Sequence, residues 1–517
     1  MKTKYILSAL LFGSALVACD DFLDEMPDNR AELNTEDKIT SLLVSAYPTN
    51  SLVALHEFSS DNAMDNGPQY DIAQKVQEEA YLWEDVTDDG NDTPKQFWNT
   101  CYMTIATANQ ALDAISKMGE KGLEAQKAEA LLCRAYAHFI LSNTFCMAYN
   151  PQTADKELGI PYSFAPETEV SPVYTRGTLA EVYDAIEADI VAALPYIKDD
   201  LHKAPKYHFT KKSAYAFAAR FYQYKQDWAK CEEYATVALG ADPASVMRDW
   251  ATMAKSGNYS DRCNMYRNPS EPANLLMTTA GSSWGYWAGA YNLARRYACN
   301  YQKLFGPEIA RPGTVGVRML WGTSHANLYC AASCWGSQQK IGVSKIYADF
   351  EYTDKVNGIG YRRIVLVPFS TNETLLTRAE ARLLQNNTEG YLADINIWLQ
   401  ANTKLKQDVT LDDINNIYGA IDYKTSSDHH VINNEVHPQG FTYSKENEYL
   451  VQCLLHLRRI ETIHEGFRWL DVKRWGIVLY HNVDGGDELV LGVDDPRRAV
   501  QLPQDVIAAG LEPNPRN

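Results

Sequence analysis

The chain has 517 residues, of which 45% are hydrophobic and 22% charged, and it carries a formal net charge of −18. That length gives ample material for a large core and room for more than one domain, and that composition excludes a chain that is mainly disordered. The acidity argues against nucleic-acid binding, which draws on Lys and Arg to neutralise phosphates; it suits an exported body that does not stick to anionic lipid.

The first stretch is a targeting segment. Lys2 and Lys4 precede an apolar run over 5–18 that is too short to span a bilayer and ends in small residues, the form of a secretory signal. Leu16-Val17-Ala18-Cys19 puts a small residue directly before cysteine, which resembles the lipobox of bacterial lipoproteins. Residues 1–18 are therefore expected to be removed and Cys19 to carry lipid (palmitate among its chains), the alternative being an ordinary secreted protein with a cysteine at its cut. One acyl chain holds a protein only marginally, at ~0.8 kcal/mol per buried CH₂, whereas two or three hold it firmly. No later apolar run is long enough to cross a membrane, so the expectation is a chain anchored to the bilayer and not spanning it. Residues 19–35, opening Asp20-Asp21-Phe22-Leu23-Asp24-Glu25, read as an acidic tether.

A helix is predicted over 36–46 and stopped by Pro48, and 59–66 reads as polar loop. From Lys95 the helical period is strong: Phe97, Cys101, Ile105, Ala108, Leu112 and Ile115 form one apolar stripe,. After a break at 119–122, Ala128, Leu131, Leu132, Ala135, Tyr136 and Phe139 form a second. A third helix spans 179–194. Helices over 212–224 and 228–239 are separated by three residues, and Ala214, Ala218, Tyr222, Trp228, Ala235 and Ala238 look like a tetratricopeptide-type hairpin, in which small residues let helices approach. A similar pair returns at 373–385 and 391–402. Between these blocks, over about 242–369, the periodicity is lost and Gly, Asn, Trp and Tyr dominate; so long an insertion is usually functional.

Of the ten cysteines, Cys101, Cys133, Cys231 and Cys453 fall inside helical patterns, where a thiol packs as a small hydrophobe,. Cys330 and Cys334 are the only close pair, and no disulfide framework is read. The acidic run 85–92 concentrates oxygen ligands and could hold calcium, but without the expected bidentate Glu it reads better as an Asx-rich turn. His429, His430 and His437 read as surface, and Gly358-Ile359-Gly360 lacks the third glycine of a phosphate loop. No other cofactor or metal is expected.

The last predicted element covers 457–476. In it Arg458, Glu461 and Glu465 lie three and four apart on one helix face, a charge ladder worth ~0.2–0.5 kcal/mol per exposed pair. Arg458-Arg459, Glu461, Glu465-Gly466, Arg468-Trp469, Asp471 and Arg474-Trp475-Gly476 resemble the C-terminal signature of SusD/RagB-like outer-membrane lipoproteins. Trp98, Tyr102, Ile105 and Asn109, then Arg134-Ala135-Tyr136, and Thr377-Arg378-Ala379-Glu380-Ala381 agree with it. Leu457 departs from an often acidic position, and His464 stands where that family usually has an apolar residue. The resemblance implies a mainly α, SusD-like fold: one domain over 36–517 with a tetratricopeptide-like helical-pair scaffold (about 36–241 and 370–517) and a loop-rich ligand-binding region (about 242–369). It also implies a non-catalytic nutrient-binding lipoprotein at the cell surface, lid to a TonB-dependent, SusC-like outer-membrane transporter and binder of oligosaccharide or polysaccharide, or in some members of peptide.

Sugars are held by flat apolar faces against pyranose C–H groups, with polar groups for the hydroxyls. Trp284, Tyr286, Trp287 and Tyr291 offer such faces, with Asn292, Arg295 and Arg296 close in sequence; the competing reading is that these aromatics close a loop-rich core. Trp321, Tyr329 and Trp335 are candidates of the same kind, and Asp61, Asn62 and Tyr70 could supply hydrogen bonds from the early loop. Gly281-Ser282-Ser283-Trp284-Gly285 fits the G-x-S-x-G pattern of a serine hydrolase with Ser283 as nucleophile, but two Trp and three Gly follow where that fold needs a helix.

Overall fold

The computed structural model describes residues 32–168, 173–290, 295–300, 303, 318–323, 327–329, 332–336, 340–427 and 431–516. The signal, Cys19 and most of the tether fall outside the described residues. The first part of the scaffold contains α1 (Glu36–Leu43), α2 (Val53–Ser59), β1 (Met64–Asp65), α3 (Lys75–Tyr81), α4 (Pro94–Met118), α5 (Glu124–Phe145), α6 (Leu179–Ala193), α7 (Lys211–Lys225) and α8 (Trp228–Leu239). The middle region contains α9 (Trp250–Met253), α10 (Tyr259–Tyr266), β2 (Asn274–Gly281), α11 (Trp284–Ala288), β3 (Tyr297–Ala298), β4 (Ala332–Trp335), β5 (Lys340–Val343), β6 (Asp349–Asp354) and β7 (Ile359–Ser370). The chain closes with α12 (Thr371–Leu384), α13 (Thr388–Asn402), α14 (Leu411–Tyr418), α15 (Glu448–Thr462), α16 (Phe467–Arg474), β8 (Leu479–His481), β9 (Leu489–Leu491) and α17 (Gln504–Ala508).

The helices begin and end where local chemistry requires. Thr93 caps α4 by accepting the Gln96 N–H, Pro94 takes the first helical position, and Gly119 ends the helix in the left-handed region at φ +88°,. Phe97, Cys101, Ile105, Ala108 and Ile115 of the predicted stripe are buried. α5 is covered on nearly every side, because it packs between α4 and α6. The α7–α8 hairpin turns at Gln226, left-handed at φ +68°, and Asp227 caps α8 through the Lys230 N–H. Ala214, Ala218, Ala235 and Ala238 are fully buried between helices, the close approach expected of a tetratricopeptide-type pair.

One helix ties the parts together. α12 packs on α7, α8, α13 and α15, and it follows β7 without a break, capped by Ser370. β7 is the central strand of an antiparallel sheet in the order β2-β7-β6. The middle region is thus fixed to the scaffold through β7, and it holds more regular structure than its lack of helical period predicts.

The C-terminal signature is a buried charge network. The helix break falls at Gly466, left-handed at φ +79°, between α15 and α16. The expected ladder along one face is not formed; each charge finds a partner on another element. Arg458 pairs with Asp471 at 2.9 Å and Arg474 with Glu380 at 2.7 Å, while Arg220 pairs with Glu373 at 2.8 Å. Glu465 takes Lys345 at 3.1 Å, and the Trp398 indole donates to Glu461 at 2.9 Å. Such groups tolerate burial only when every charge is paired, so the signature encodes helix docking. Cys101, Cys133, Cys231 and Cys453 are free and buried, as their helical positions predict. Cys330 lies outside the described residues.

Candidate functional site

Most of the sequence-derived site residues prove to be interior. Trp284 is 1% exposed; its ring meets Phe58 edge-to-face at 5.6 Å, and its indole N–H donates to the His464 carbonyl at 3.0 Å. Trp287 is also buried and packs on Phe58. The glycine between them does not loosen a turn. A Cβ on Gly285 would stand 2.6 Å from the Tyr347 carbonyl oxygen, so the residue is small because α11 presses against the backbone there,. Trp321 is buried beside His456. Asp61 and Asn62 are buried as well: Asp61 receives both Arg468 nitrogens at 2.8 and 2.9 Å, and Asn62 accepts from Arg459 at 2.9 Å. Burial alone would raise the Asp61 carboxyl, but Arg459 and Arg468 hold it well below the usual range,. These five residues are therefore corrected from ligand contacts to core and docking contacts. Tyr291 and Asn292 lie outside the described residues.

Tyr70, Tyr286 and Trp335 are half-buried, so each presents part of a ring to the outside. Trp335 on β4 lies over Gly342 of β5, where a Cβ would come within 2.5 Å of its ring, and it meets Tyr259 edge-to-face at 5.1 Å. Tyr70 belongs to the loop after β1, which joins the β3 region through an Asp71–Arg295 bridge and an Asp65–Arg296 ion pair at 3.0 Å.

Sequence reasoning missed an open aromatic surface on the β6–β7 hairpin. Phe350 (38% exposed) and Tyr352 (52%) alternate along β6 and meet edge-to-face, centroids 4.8 Å apart. Phe350 stands opposite Arg362 and Tyr352 opposite Gly360, which places both rings and Arg362 on one face of the hairpin. The Arg362 guanidinium lies 4.3 Å over the Tyr286 ring and donates to the Ser283 hydroxyl at 3.3 Å. Phe350, Tyr352 and the Arg362 that covers Tyr286 thus share one face of the hairpin, flat rings with one cation, while exposed Tyr361 points to the opposite face beside Glu351. Asn357-Gly358 between the alternating Phe350 and Tyr352 and the alternating Ile359 and Tyr361 was the available signal for this hairpin,.

Two other chemistries are answered by geometry. A short helix, α11, does follow β2, contrary to the sequence reading, so the strand and helix of a nucleophile elbow are present. The Ser283 hydroxyl nevertheless faces the Arg362 cation, and Asp92 is engaged by the Ser282 hydroxyl and by the Ser283 N–H at 2.7 Å. No histidine bonds Ser283 among the described residues, and the side chain is buried, which does not make a nucleophile. The acidic run 85–92 does not converge on calcium: Asp85 pairs with Arg516 at 2.7 Å, whereas Asp92 is buried and its carboxyl pushed up to about 7 by desolvation. His437 pairs with Glu435 at 3.3 Å, and His429 and His430 lie outside the described residues.

Glu129, His202 and His208 bring their ligand atoms close enough for a metal, but they also satisfy one another. His202 and His208 stand 2.6 and 2.8 Å from the two Glu129 oxygens, and the Tyr47 hydroxyl donates at 2.8 Å. An apolar crevice near the Glu465-Gly466-Phe467 turn has a volume of about 120 Å³, well short of the roughly 300–1,000 Å³ typical of ligand pockets. The hairpin strip is the better candidate.

Residues 21–223 match the family described as SusD-like, starch-binding and associating with outer membrane. The whole fold agrees with solved structures. The chain has the fold of the SusD superfamily. A SusD superfamily protein from Bacteroides thetaiotaomicron is 18% identical with a TM-score of 0.60, the match covering 94% of this chain and 100% of that one. A protein from Bacteroides vulgatus described as a putative sugar binding protein is 17% identical with a TM-score of 0.64, covering 94% and 99%. A SusD-like carbohydrate binding protein from the same organism is 13% identical with a TM-score of 0.60, covering 92% and 96%. No curated protein matches this chain.

Proposed function

We propose that this SusD-like chain is a cell-surface lipoprotein, anchored at the outer membrane through Cys19, that captures oligosaccharide and delivers it to a SusC-like TonB-dependent transporter. The observation that carries the binding reading is the strip of Tyr286, Arg362, Phe350 and Tyr352. Exposed rings of this kind stack on the C–H faces of sugar rings, and a guanidinium donates to hydroxyls without demanding a charged ligand. Trp335 and Tyr70 are kept as further candidate contacts. The similarity of the chain to proteins described as starch-binding and as carbohydrate binding supports the same ligand class. No helix among the described residues is long and apolar enough to cross a membrane, so transport itself is assigned to the partner. Non-catalytic binding agrees with the surroundings of Ser283.

One observation favours a second ligand class. β6 is the outermost strand of its sheet, and an extended peptide can add to such an edge. A glycan and peptide array probed with the chain lacking residues 1–19 separates the two. Binding to oligosaccharides is expected; signal confined to peptides would replace the glycan reading.

A further inference from the structure

Glu57, Cys299 and His464 come from three distant parts of the chain and meet in the interior. Glu57 lies on α2, Cys299 directly after β3, and His464 in the turn between α15 and α16. One ligand atom from each falls within 4.8 Å of the other two, and all three residues are buried. His464 is the unexplained member: both ring nitrogens are buried without a hydrogen-bond partner. Its backbone is held left-handed at φ +66°, a conformation that costs a non-glycine residue free energy. A buried polar group left without a partner destabilises the fold. Something must compensate.

We propose that Glu57, Cys299 and His464 bind a divalent cation of the zinc class. An imidazole nitrogen, a thiolate and a carboxylate oxygen are the donor set such an ion takes, whereas calcium and magnesium take oxygen alone. At zinc–ligand lengths of ~2.0–2.3 Å, tetrahedral ligands stand roughly 3.3–3.7 Å apart, so a spacing of at most 4.8 Å needs closure by no more than roughly 1.5 Å,. Glu57 can still coordinate: its oxygens accept from the Gly466 N–H at 2.9 Å and the Asn62 amide at 3.0 Å, the His464 backbone N–H faces them as well, and of four lone pairs one is left for an ion,. The Ile341 backbone faces the His464 ring without completing a hydrogen bond, the place where a ligand histidine keeps its second N–H.

The charges balance. Glu57 and a Cys299 thiolate supply two negatives against the ion's two positives, and the thiol proton leaves to solvent on binding. Of the neighbouring cations, Lys345 is neutralised by Glu465 at 3.1 Å, and Arg459 donates to Asn62 at 2.9 Å and to the Asp61 carbonyl at 2.8 Å. Lys340 donates to the Tyr286 carbonyl at 3.0 Å, so it points its ammonium at α11. The backbone is braced on both sides, since Ile341 donates to the Cys299 carbonyl and Trp284 to the His464 carbonyl. Enclosed in this way, the ion would staple three segments and would meet no substrate.

The test is metal content of full-length protein purified in detergent after growth with zinc chloride, read by mass spectrometry, with a cobalt-substituted sample read by absorption. One zinc per chain should survive desalting, and the cobalt form should show a thiolate-to-metal charge-transfer band. Cys299→Ser and His464→Leu should each lose both signals. If a variant fails to fold, the band in the wild type still decides, because it requires sulfur ligation. A metal-free wild type without that band would overturn the proposal. So would zinc retained in both variants, which would move the ion to Glu129, His202 and His208. His464→Leu raising the melting temperature of protein grown with zinc would also contradict it.

Discussion

Replacing Trp284 with alanine tests whether the tryptophans of the Gly281–Gly289 stretch are core. The side chain is fully enclosed, with Phe58 and His464 both at 5.6 Å. Truncating a core tryptophan costs ~3–5 kcal/mol, and the orphaned His464 carbonyl adds part of a further ~1–3 kcal/mol. A loss on the order of 5 kcal/mol is expected, a third or more of the total stability of about 5–15 kcal/mol typical of a folded protein. Trp284→Phe keeps an aromatic ring and should lose less than half of that. Urea denaturation followed by circular dichroism measures both, with Tyr352→Ala as an exposed control expected to stay within about 0.5 kcal/mol of wild type. An unchanged denaturation midpoint in Trp284→Ala, together with lost glycan binding, would refute the reasoning and return Trp284 to the binding surface.

Asp61→Asn leaves the buried Arg468 without its carboxylate and should destabilise by ~3–5 kcal/mol,; a normal melting temperature with weakened ligand binding would mean that Asp61 serves the ligand after all. Asp92 has a folded-state pKa near 7, above its ordinary value of 3.8, so the folded state holds a proton that the unfolded state has released. Its contribution to stability therefore falls as pH rises from about 4 to 7 and is level above that. Asp92→Asn removes this slope, so the stability difference between variant and wild type should shift in the variant's favour as pH rises from 4 to 7,; a difference independent of pH would contradict the assignment.

The scaffold was legible because its helices carry a period that survives burial on one side. The stripe from Phe97 to Ile115 and the Lys225-Gln226-Asp227 break both lie where the sequence puts them. Long-range pairing was not legible. Asp61 and Asn62 sit in a polar stretch that reads as solvated loop, and only the arrival of Arg459 and Arg468, about 400 residues later, makes them interior. The glycines around Trp284 and Trp287 were misleading for a related reason. Glycine signals freedom or close approach equally well, and at Gly285 the Tyr347 backbone decides for close approach. The aromatic strip was missed because its members are divided between α11, β6 and β7, and only the Phe350–Arg362 register brings them together. The Asn357-Gly358 turn could have announced the hairpin, but not which of its faces meets Tyr286.

The most direct test of the account is calorimetric titration of an oligosaccharide from the array into wild type and into Phe350→Ala, Tyr352→Ala and the double variant, with a melting curve for each. Removing an aromatic anchor should weaken binding by ~1–3 kcal/mol, and the double variant should lose most of the affinity while its melting temperature stays at the wild-type value. Wild-type affinity in the double variant would contradict the assignment of the glycan surface to the β6–β7 hairpin.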